Sequence, residues 1–422
     1  METNDNSFSR SGQSLAVEWM TRSLGRPDKA SAIRAPESPG ERGEVHRRAQ
    51  RLHSTALRNL RLYRHLVAET SRRAPDSRLL AFLVLALAEL DLSPPGRRAA
   101  VVDSWVGAVR ARRGRPASSF ANAVLRRAAV ELAAVRDGDR PIPPGLASSH
   151  PDWLVERWRR NFGEAMTNRL LAWNQGTPAL YAHAPGDAPP PPDLLPAPWE
   201  GFYRLPGGLT PPIRRRLAEG LLTIRDPATR IAVDAVLGAA PRRVLDLCAA
   251  PGGKSRALLA APRGPERVVA VDLPARTDEL ARNLEPWPGE SRVVPADLDT
   301  GAGVPPEWTA AFDAVLLDAP CSNTGVLRRK PDAKQRLTPA DLDRLPPIQG
   351  RLLRNAARFV RPGGVLVYGT CSLEPEENRD VVEAFLRAVG DDFRLETAVH
   401  ALPPKTGHDG AGVFRLRKSG PP

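Results

Sequence analysis

Short apolar segments alternate with helical segments along the C-terminal half of the chain, and this alternation limits the possible folds more than any other feature of the sequence. Five segments have the length and apolar content of buried strands: Val244–Leu247, Val268–Asp272, Arg292–Val294, Phe312–Asp318 and Gly364–Thr370. Strands that alternate with helices form a parallel sheet with right-handed crossovers. The sequence therefore predicts an α/β, Rossmann-like domain over residues 221–422, with ligands bound beyond the carboxyl ends of its strands.

The first predicted strand leads into a turn of small residues. The turn consists of Cys248, Ala249, Ala250, Pro251, Gly252, Gly253 and Lys254. Small residues let the backbone approach a ligand closely. The turn matches neither the dinucleotide fingerprint nor a Walker loop, and taken alone it is equally well explained as a purely structural turn.

Two aspartates follow the next two predicted strands. Asp272 ends the second strand, where nucleotide-binding sheets place the carboxylate that accepts ribose hydroxyls. Asp297 follows the third strand, where a carboxylate could reach an exocyclic amine of a purine. Each aspartate alone is more often a cap or a loop residue. Together with the small-residue turn they favour an adenosine-containing ligand.

Two of the three cysteines follow the fourth and fifth predicted strands. Cys321 lies three residues after Asp318, and Cys371 follows Thr370. No His or further Cys is close enough in sequence to complete a metal site, so no metal is predicted. A redox pair is possible but would not explain the adenosine features, which leaves thiolate attack on an electrophile. Cys248, by contrast, fits an inert buried side chain.

The N-terminal half is organised differently. Residues 1–40 are rich in Ser, Gly, Pro and charge without a clear period, which predicts a disordered tail. Over residues 41–145, apolar residues recur at helical spacing between Pro/Gly breakers, which predicts an all-helical bundle of four or five helices. Residues 146–220, with their proline-dense stretch at 185–198, are predicted to be a linker and pre-catalytic subdomain.

Basic residues concentrate in the predicted helical bundle. The formal net charge is +13, and residues 41–145 hold 20 basic against 10 acidic residues, whereas residues 146–422 hold 36 against 33. Only 6 of the 61 basic residues are Lys, and the planar fork of Arg suits phosphate. GC-rich codons would also enrich Arg, but they would spread the excess more evenly. The distribution therefore predicts a nucleic-acid-binding surface in the helical bundle.

Several sequence features bear on the cellular compartment. Three cysteines in 422 residues cannot form a disulfide framework, and the polar N-terminus has no signal-peptide core. The most apolar run, Leu79–Leu90, spans 12 residues and contains Glu89, so it predicts a buried helix rather than a membrane span. We therefore expect a cytoplasmic protein without a membrane segment. The chain has no repeats or dimerisation heptads, so a monomer is expected.

Three motifs in order closely resemble the RNA (cytosine-5)-methyltransferases of the RsmB/Nop/Sun family. They are Leu245-Asp-Leu-Cys-Ala-Ala-Pro-Gly-Gly-Lys-Ser255, Asp318-Ala-Pro-Cys-Ser-Asn-Thr-Gly325 with the Val-Leu-Arg-Arg-Lys-Pro331 that follows, and Tyr368-Gly-Thr-Cys-Ser-Leu-Glu-Pro-Glu-Glu-Asn378. Upstream, Ser119–Arg126 resembles the NusB-like domain of the bacterial RsmB branch, and Ser149–Trp158 resembles its linker. The resemblance implies a class I S-adenosylmethionine-dependent methyltransferase domain preceded by an all-α NusB-like domain.

The resemblance also implies roles for individual residues. In this family the Cys of the Thr-Cys-Ser motif, here Cys371, adds to carbon-6 of cytosine, and the Cys of the Pro-Cys motif, here Cys321, promotes release. DNA cytosine-5 methyltransferases attack with the Pro-Cys cysteine instead, so the reverse assignment is the alternative. Asp318 is placed to hydrogen-bond the cytosine edge, and Lys254 to meet the methionine carboxylate or an RNA phosphate. The implied S-adenosylmethionine-binding residues are Cys248, Ala249, Ala250, Pro251, Gly252, Gly253, Lys254, Asp272, Asp297 and Asp318.

The implied substrate is a single-stranded or flipped-out cytosine in RNA, with 16S ribosomal RNA favoured by the NusB-like region. The alternatives are the same chemistry on tRNA or another RNA, and a catalytically silent RNA-binding or ribosome-assembly factor. Four positions depart from the family pattern: Asn323 stands for the usual Gly, Arg225 for the usual Gln, Tyr181–His183 for Arg-x-Asn, and Ala411-Gly412 for two aromatics. We expect these departures to affect the choice of RNA target rather than the catalytic groups.

Overall fold

The computed structural model describes residues 3–25, 41–184, 194–285 and 289–420. The chain divides into two compact units. The first, called the helical unit here, comprises Met1–Gly176 and Leu327–Leu337. The second, called the α/β unit, comprises Thr177–Val326 and Thr338–Pro422. No helix within the described ranges is long and apolar enough to cross a membrane.

The N-terminal part of the helical unit is built around one helix, Ser77–Leu92, whose middle is fully buried. Its helices are α1 (Thr3–Gly25), α2 (Glu41–Arg58), α3 (Leu60–Thr70), α4 (Ser77–Leu92), α5 (Arg98–Asp137), α6 (Pro144–Ala147), α7 (Asp152–Phe162) and α8 (Glu164–Gln175). The carboxylate of Asp76 starts α4 by accepting the backbone N–H groups of Arg78 and Leu79. Every side chain from Ala81 to Ala88 is at most 1% exposed, which confirms the predicted buried helix.

The predicted breaks between helices are confirmed, but the prediction for the N-terminal tail differs from the structure. Gly114, with φ of 78°, interrupts α5 at the predicted Gly-Pro breaker. Residues 3–25 form α1 instead of a disordered tail, and residues 26–40 lie outside the described residues. The reason is a short apolar face within a polar segment, because Ala16, Val17 and Met20 are buried in the core of the unit.

The helical unit also includes two segments that were predicted to belong to other parts of the chain. Residues 146–176 pack with it, although they were predicted to belong to a linker over 146–220. The returning segment Leu327–Leu337 carries Lys334, which is 2% exposed and donates from Nζ to the carbonyls of Arg58 and Ser148, each at 3.2 Å. Burial, and secondly the charge of Arg58, lower the pKa of Lys334 well below its ordinary value.

The α/β unit begins with a small antiparallel sheet. Its strands are β1 (Tyr181–His183), β2 (Leu195–Pro196), β3 (Phe202–Arg204) and β4 (Thr223–Ile224), in the order β2-β3-β1-β4. The helix α9 (Pro211–Ala218) packs on this sheet through Ile213, which lies in one cluster with Ala182, Leu205 and Leu222.

A seven-stranded sheet forms the centre of the α/β unit. Its strands are β5 (Arg243–Leu247), β6 (Arg267–Asp272), β7 (Glu290–Pro295), β8 (Phe312–Asp318), β9 (Val360–Thr370), β10 (Phe393–Ala401) and β11 (Ala411–Lys418), in the order β10-β11-β9-β8-β5-β6-β7. The five predicted strands are β5 to β9, and their pairing is parallel as predicted. β11 pairs antiparallel with both β9 and β10, a hairpin edge that the sequence pattern did not reveal.

Helices cover both faces of this sheet. They are α10 (Thr229–Leu237), α11 (Gly253–Leu259), α12 (Pro274–Leu284), α14 (Pro339–Ala357), α15 (Arg379–Val389) and α16 (Pro403–Thr406), while α13 (Ala333–Arg336) lies in the returning segment of the helical unit. Alternate residues of each strand face opposite sides, so Leu245 and Val315 pack in one core and Val244 and Ala314 in the other. The sheet thereby brings the carboxyl ends of β5, β6, β8 and β9 to a common edge.

Candidate active site

The turn after β5 is held in place by the strand beside it. The backbone N–H of Ala250 donates to Asp272 Oδ2 at 2.8 Å, and the N–H of Leu273 donates to the other oxygen of the same carboxylate. Gly252 has φ of 99°, and a Cβ there would lie 3.0 Å from Leu280 Cδ1, so only glycine fits. At Gly253 a Cβ would meet nothing within 4 Å. The turn is thus tightly packed on one side and open on the other.

A lysine and a carboxylate form an ion pair at the same edge. Lys254 Nζ lies 2.5 Å from Asp318 Oδ2, and both side chains are partly exposed. Burial alone would lower the pKa of Lys254, but the negative charges of Asp318, Asp246 and a Cys371 thiolate outweigh it and raise this pKa. Lys254 therefore keeps its proton, and its charge in turn favours the thiolate form of Cys371.

The two predicted catalytic thiols are in direct contact. The Sγ atoms of Cys321 and Cys371 are 3.2 Å apart, since their loops follow the adjacent parallel strands β8 and β9. Asn323 bridges the loops, because its Nδ2 donates to the Cys321 carbonyl at 2.8 Å and its Oδ1 lies 3.4 Å from Cys371 Sγ.

The environments of the two thiols differ. The hydrogen bond to Cys371, burial, and the charges of Cys371 and Glu377 raise the pKa of Cys321 well above its ordinary value. The raised pKa favours the protonated form of Cys321, while either sulfur can be the donor in the contact between the two thiols. The third cysteine, Cys248, also stays neutral, because burial and three nearby aspartates raise its pKa to about 12.

A buried glutamate joins the two cysteine loops. Glu377 is 0% exposed and accepts the Ser322 N–H at 2.9 Å and the Gln349 side-chain amide at 3.0 Å. The hydroxyls of Ser322 and Ser372 both donate to its second oxygen. The loop that carries Cys321 and the loop that carries Cys371 therefore share one hydrogen-bonded centre.

Comparisons with known proteins show which family the chain belongs to. A family model described as 16S rRNA methyltransferase RsmB/F matches residues 238–410, and the NusB family model matches residues 22–130. The ribosomal RNA small subunit methyltransferase B of Thermus thermophilus is 35% identical over 382 residues, which cover 86% of each chain. The chain belongs to the RsmB/F family of 16S rRNA methyltransferases. The protein of the same name from Xanthomonas campestris is 34% identical over 365 residues, which cover 82% of this chain and 78% of that one.

Solved structures agree with the RsmB/F assignment at the level of fold. The crystal structure of PH0851 covers 97% of this chain and 99% of its own, with a TM-score of 0.75 and 19% identity. A methyltransferase homologue from Pyrococcus horikoshii covers 65% of this chain and 97% of its own, with a TM-score of 0.52 and 23% identity. The predicted class I methyltransferase fold with a NusB-like helical domain is thus confirmed.

Within the RsmB/F site, the structure brings some of the predicted residues into contact and leaves one apart. Lys254 meets Asp318, Cys321 meets Cys371, and Ala250 meets Asp272. Asp297 instead caps its own turn by accepting the N–H groups of Asp299 and Thr300. The assignment of Asp297 to the cofactor stays a prediction.

Sequence reasoning gave no role to several residues that hold the RsmB/F loops. Glu377 and Asn378 belong to the third motif, and Asn323 to the second as a departure from the family pattern, but the sequence assigned none of them a role. Asn378 Oδ1 accepts from Thr370 Oγ1 at 2.7 Å, and a Cβ on Gly412 would lie 2.0 Å from that oxygen. Gly412 therefore leaves room for Asn378. The signal in the sequence was the unbroken Ser-Leu-Glu-Pro-Glu-Glu-Asn run after Cys371.

Proposed function

We propose that this RsmB/F protein transfers a methyl group from S-adenosylmethionine to carbon-5 of a cytosine in small-subunit ribosomal RNA through a covalent Cys371–cytosine adduct. The observation that carries the proposal is the pair of touching thiols, of which Cys321 holds its proton while Lys254 favours the thiolate of Cys371. A single inert cysteine or a metal centre would need neither feature. Within the described residues no group of His, Cys, Asp and Glu is arranged to hold a metal ion.

The residues at the β5 turn fit the cofactor that the family implies. The backbone of the turn is fixed by Asp272, and its open side at Gly253 leaves space for a ligand. The residues that would hold S-adenosylmethionine are those of Cys248–Lys254, with Asp272, Asp297 and Asp318. When bound, this cofactor supplies an electrophilic methyl group on a sulfonium.

Cys371 activates the base in this proposal. Its thiolate bonds to carbon-6, the 5,6 double bond opens, and the electron pair moves to carbon-5, which becomes nucleophilic. Asp318 uses Oδ2 for Lys254, so its Oδ1 accepts the exocyclic amino group of cytosine and orients the ring. Once carbon-5 has accepted the methyl group, it still carries the proton that must leave.

Cys321 completes the reaction. In the adduct, Cys371 is a neutral thioether, so the negative charge and the hydrogen bond that raised the pKa of Cys321 are gone. Burial and the charge of Glu377 still raise the pKa of Cys321, but the largest cause is removed, so Cys321 gives its proton to solvent and the resulting thiolate takes the proton from carbon-5. The released electron pair restores the 5,6 double bond and expels Cys371 as a thiolate. The change of charge on one thiol thus sets when the other acts.

Substitution of each cysteine tests these roles. The variants Cys371→Ala and Cys321→Ala are incubated with S-adenosylmethionine labelled in its methyl group and with total ribosomal RNA. We expect Cys371→Ala to give no methyl transfer and no covalent complex. Cys321→Ala should accumulate a protein–RNA adduct that survives denaturing electrophoresis, because the addition and methyl-transfer steps stay intact.

The control is Thr397→Ala, because Thr397 is exposed on the edge strand β10 and lies outside the proposed catalytic and cofactor-binding residues. It should retain methyl transfer and form no stable adduct. An adduct that forms only in Cys371→Ala would reverse the two roles. Mapping of 5-methylcytosine in the unmodified enzyme's product identifies the RNA, and a label that appears only in tRNA, or in no cytosine at all, would contradict the proposed substrate or activity.

A further inference from the structure

A large cavity in the helical unit is lined by four arginines. It has a volume of about 1000 Å³ and lies between α2 and the stretch in which α4 ends and α5 begins. Arg47, Arg48 and Arg51 come from α2, where their spacing places them on one face, and Arg97 comes from the turn before α5. These four residues define what we call the arginine groove.

Within the part of the chain that the structure describes, one of the four groove arginines is paired with a carboxylate. Arg48 donates to Glu89 Oε1 at 2.7 Å, and Glu89 Oε2 accepts from Trp105 Nε1 at 2.7 Å, so both oxygens of this carboxylate are occupied. Among the described residues, Arg47, Arg51 and Arg97 form no ion pair, although Glu44 lines the same cavity.

Other arginines of the helical unit do form ion pairs with carboxylates. Partners of Arg113, Arg136 and Arg140 include Asp76, Asp91 and Glu69, respectively, with nitrogen–oxygen distances of 2.5 to 2.8 Å. Carboxylate pairing is therefore common on this unit and is missing at three positions of the groove. Two like charges four residues apart on a helix, such as Arg47 and Arg51, repel each other and destabilise the helix. An external anion would relieve this repulsion.

The end of a long helix adds to the positive field. α5 begins beside Arg97 with no acidic residue in its first turn and no capping side chain. Ala100 and Val101, which belong to that first turn, also line the groove. The unpaired N–H groups and dipole of a helix N-terminus favour negative charge nearby, so this contribution has the same sign as that of the arginines.

We propose that the arginine groove binds the phosphodiester backbone of the RNA substrate. The proposal rests on the proposed function only in taking RNA as the ligand. Guanidinium forks bind phosphate oxygens, and a cavity of about 1000 Å³ is far larger than one phosphate needs. No aromatic side chain lines the groove among the described residues, so it has no surface for stacking bases. Binding there depends on the polyanionic backbone and not on base sequence.

The test removes three charges from the groove and measures RNA binding directly. The full-length variant Arg47→Gln/Arg51→Gln/Arg97→Gln is titrated against a fluorescein-labelled single-stranded RNA of about 30 nucleotides, by anisotropy and without cofactor, from about 50 to about 200 mM KCl. We expect at least about tenfold weaker binding at the lowest salt. The slope of log K against log salt should fall by about 2, since each lost phosphate contact removes about 0.7 for a single strand.

The matched control removes the same charge elsewhere on the helical unit. Arg112, Arg126 and Arg127 are exposed on α5 and do not line the groove, so the triple Gln variant at these positions should change affinity less than about twofold. Equal weakening in both triple variants would mean diffuse attraction and would overturn the proposal, as would an unchanged salt slope in the groove variant. An unchanged unfolding temperature confirms that the groove variant is folded. If the groove variant does not fold, RNA binding is measured with the three single variants instead.

The binding assay separates this proposal from the proposed function. If the enzyme methylates no cytosine but the groove variant still loses affinity and salt slope, the groove proposal stands and the proposed reaction fails. If methyl transfer is confirmed but the groove variant keeps its RNA affinity and salt slope, only the groove proposal fails.

Discussion

The arginine groove of the helical unit and the candidate active site of the α/β unit use charge in opposite ways. At the edge of the large sheet, Lys254 and Asp318 neutralise each other at 2.5 Å, and the pair leaves little net field beyond the site. In the helical unit, Arg47, Arg51 and Arg97 face a cavity without a carboxylate partner among the described residues. Charge paired within the protein fixes the geometry of a reaction, whereas charge left unpaired attracts a polyanion from solution. The comparison predicts that substitutions in the two units affect different measurable quantities.

The largest expected effect comes from Lys254→Met. This change removes the partner of Asp318 and the positive charge that favours the Cys371 thiolate, so kcat should fall by about 10²–10³. The Kd for RNA should stay within about twofold of its original value, as should that of the control variant Lys405→Met at an exposed position. A matching loss of RNA affinity would assign Lys254 to an RNA phosphate. It would also contradict the expectation that substitutions in the α/β unit affect catalysis and not RNA binding.

A cavity in the core of the helical unit should act on stability alone. Leu83 on α4 is 0% exposed, and Leu83→Ala should lower the free energy of unfolding by about 3 kcal/mol. The control is Val130→Ala, which alters a side chain that is 66% exposed. It should change the free energy of unfolding by less than about 0.5 kcal/mol. We expect calorimetry to show a lower transition temperature for the helical unit and an unchanged transition for the α/β unit. A single shifted transition would show that the two units unfold together.

A smaller effect should appear in the pH dependence of the α/β unit. Asp246 is 0% exposed, and burial raises its pKa to about 7 although Ser255 donates to it. Because its folded pKa lies above its unfolded value, the folded state binds more protons, and stability falls as pH rises toward and through 7. Between pH 5.5 and pH 8 the expected loss is about 2 kcal/mol.

Asp246→Asn should remove this dependence and stabilise the α/β unit at pH 8, because a neutral amide has no proton to lose. The control Asp278→Asn on the exposed face of α12 should retain it. Thermal unfolding followed by circular dichroism at several pH values checks both variants. If Asp246→Asn melts with the original pH profile, another buried group must cause it.

Much of the α/β unit was predictable because local patterns determine it. Strands buried on both faces are continuous apolar runs, and Asp318 and Thr370 mark where β8 and β9 end. The parallel topology predicted from the sequence is enough to place Cys321 and Cys371 at the ends of adjacent strands. The hairpin of β10 and β11 was missed because most residues of β10 are exposed, which dilutes its apolar pattern, and because Arg415 and Arg417 interrupt the apolar residues of β11.

The parts that were not predictable depend on contacts between distant residues. The hydrogen bonds of Glu377 to Ser322 and Gln349 join positions 55 and 28 residues away, and no spacing rule signals them. The core role of α1 was hidden because its apolar face is short and most of the segment is polar. The groove is another such case, since Arg97 joins the arginines of α2 only after α4 has reversed the direction of the chain.

The returning segment Leu327–Leu337 has a consequence for how such enzymes can be recombined. Its Lys334 donates to carbonyls at positions 58 and 148, yet it is encoded only a few residues after Cys321. A chimera that exchanges residues 1–176 alone would place a foreign surface against a native lysine. The two acceptors are backbone carbonyls, so the buried amine keeps them only where the foreign chain follows the same backbone path at positions 58 and 148. Module swaps between relatives must therefore transplant two separate pieces of sequence, and substitutions at position 334 should be inherited together with changes around residues 58 and 148.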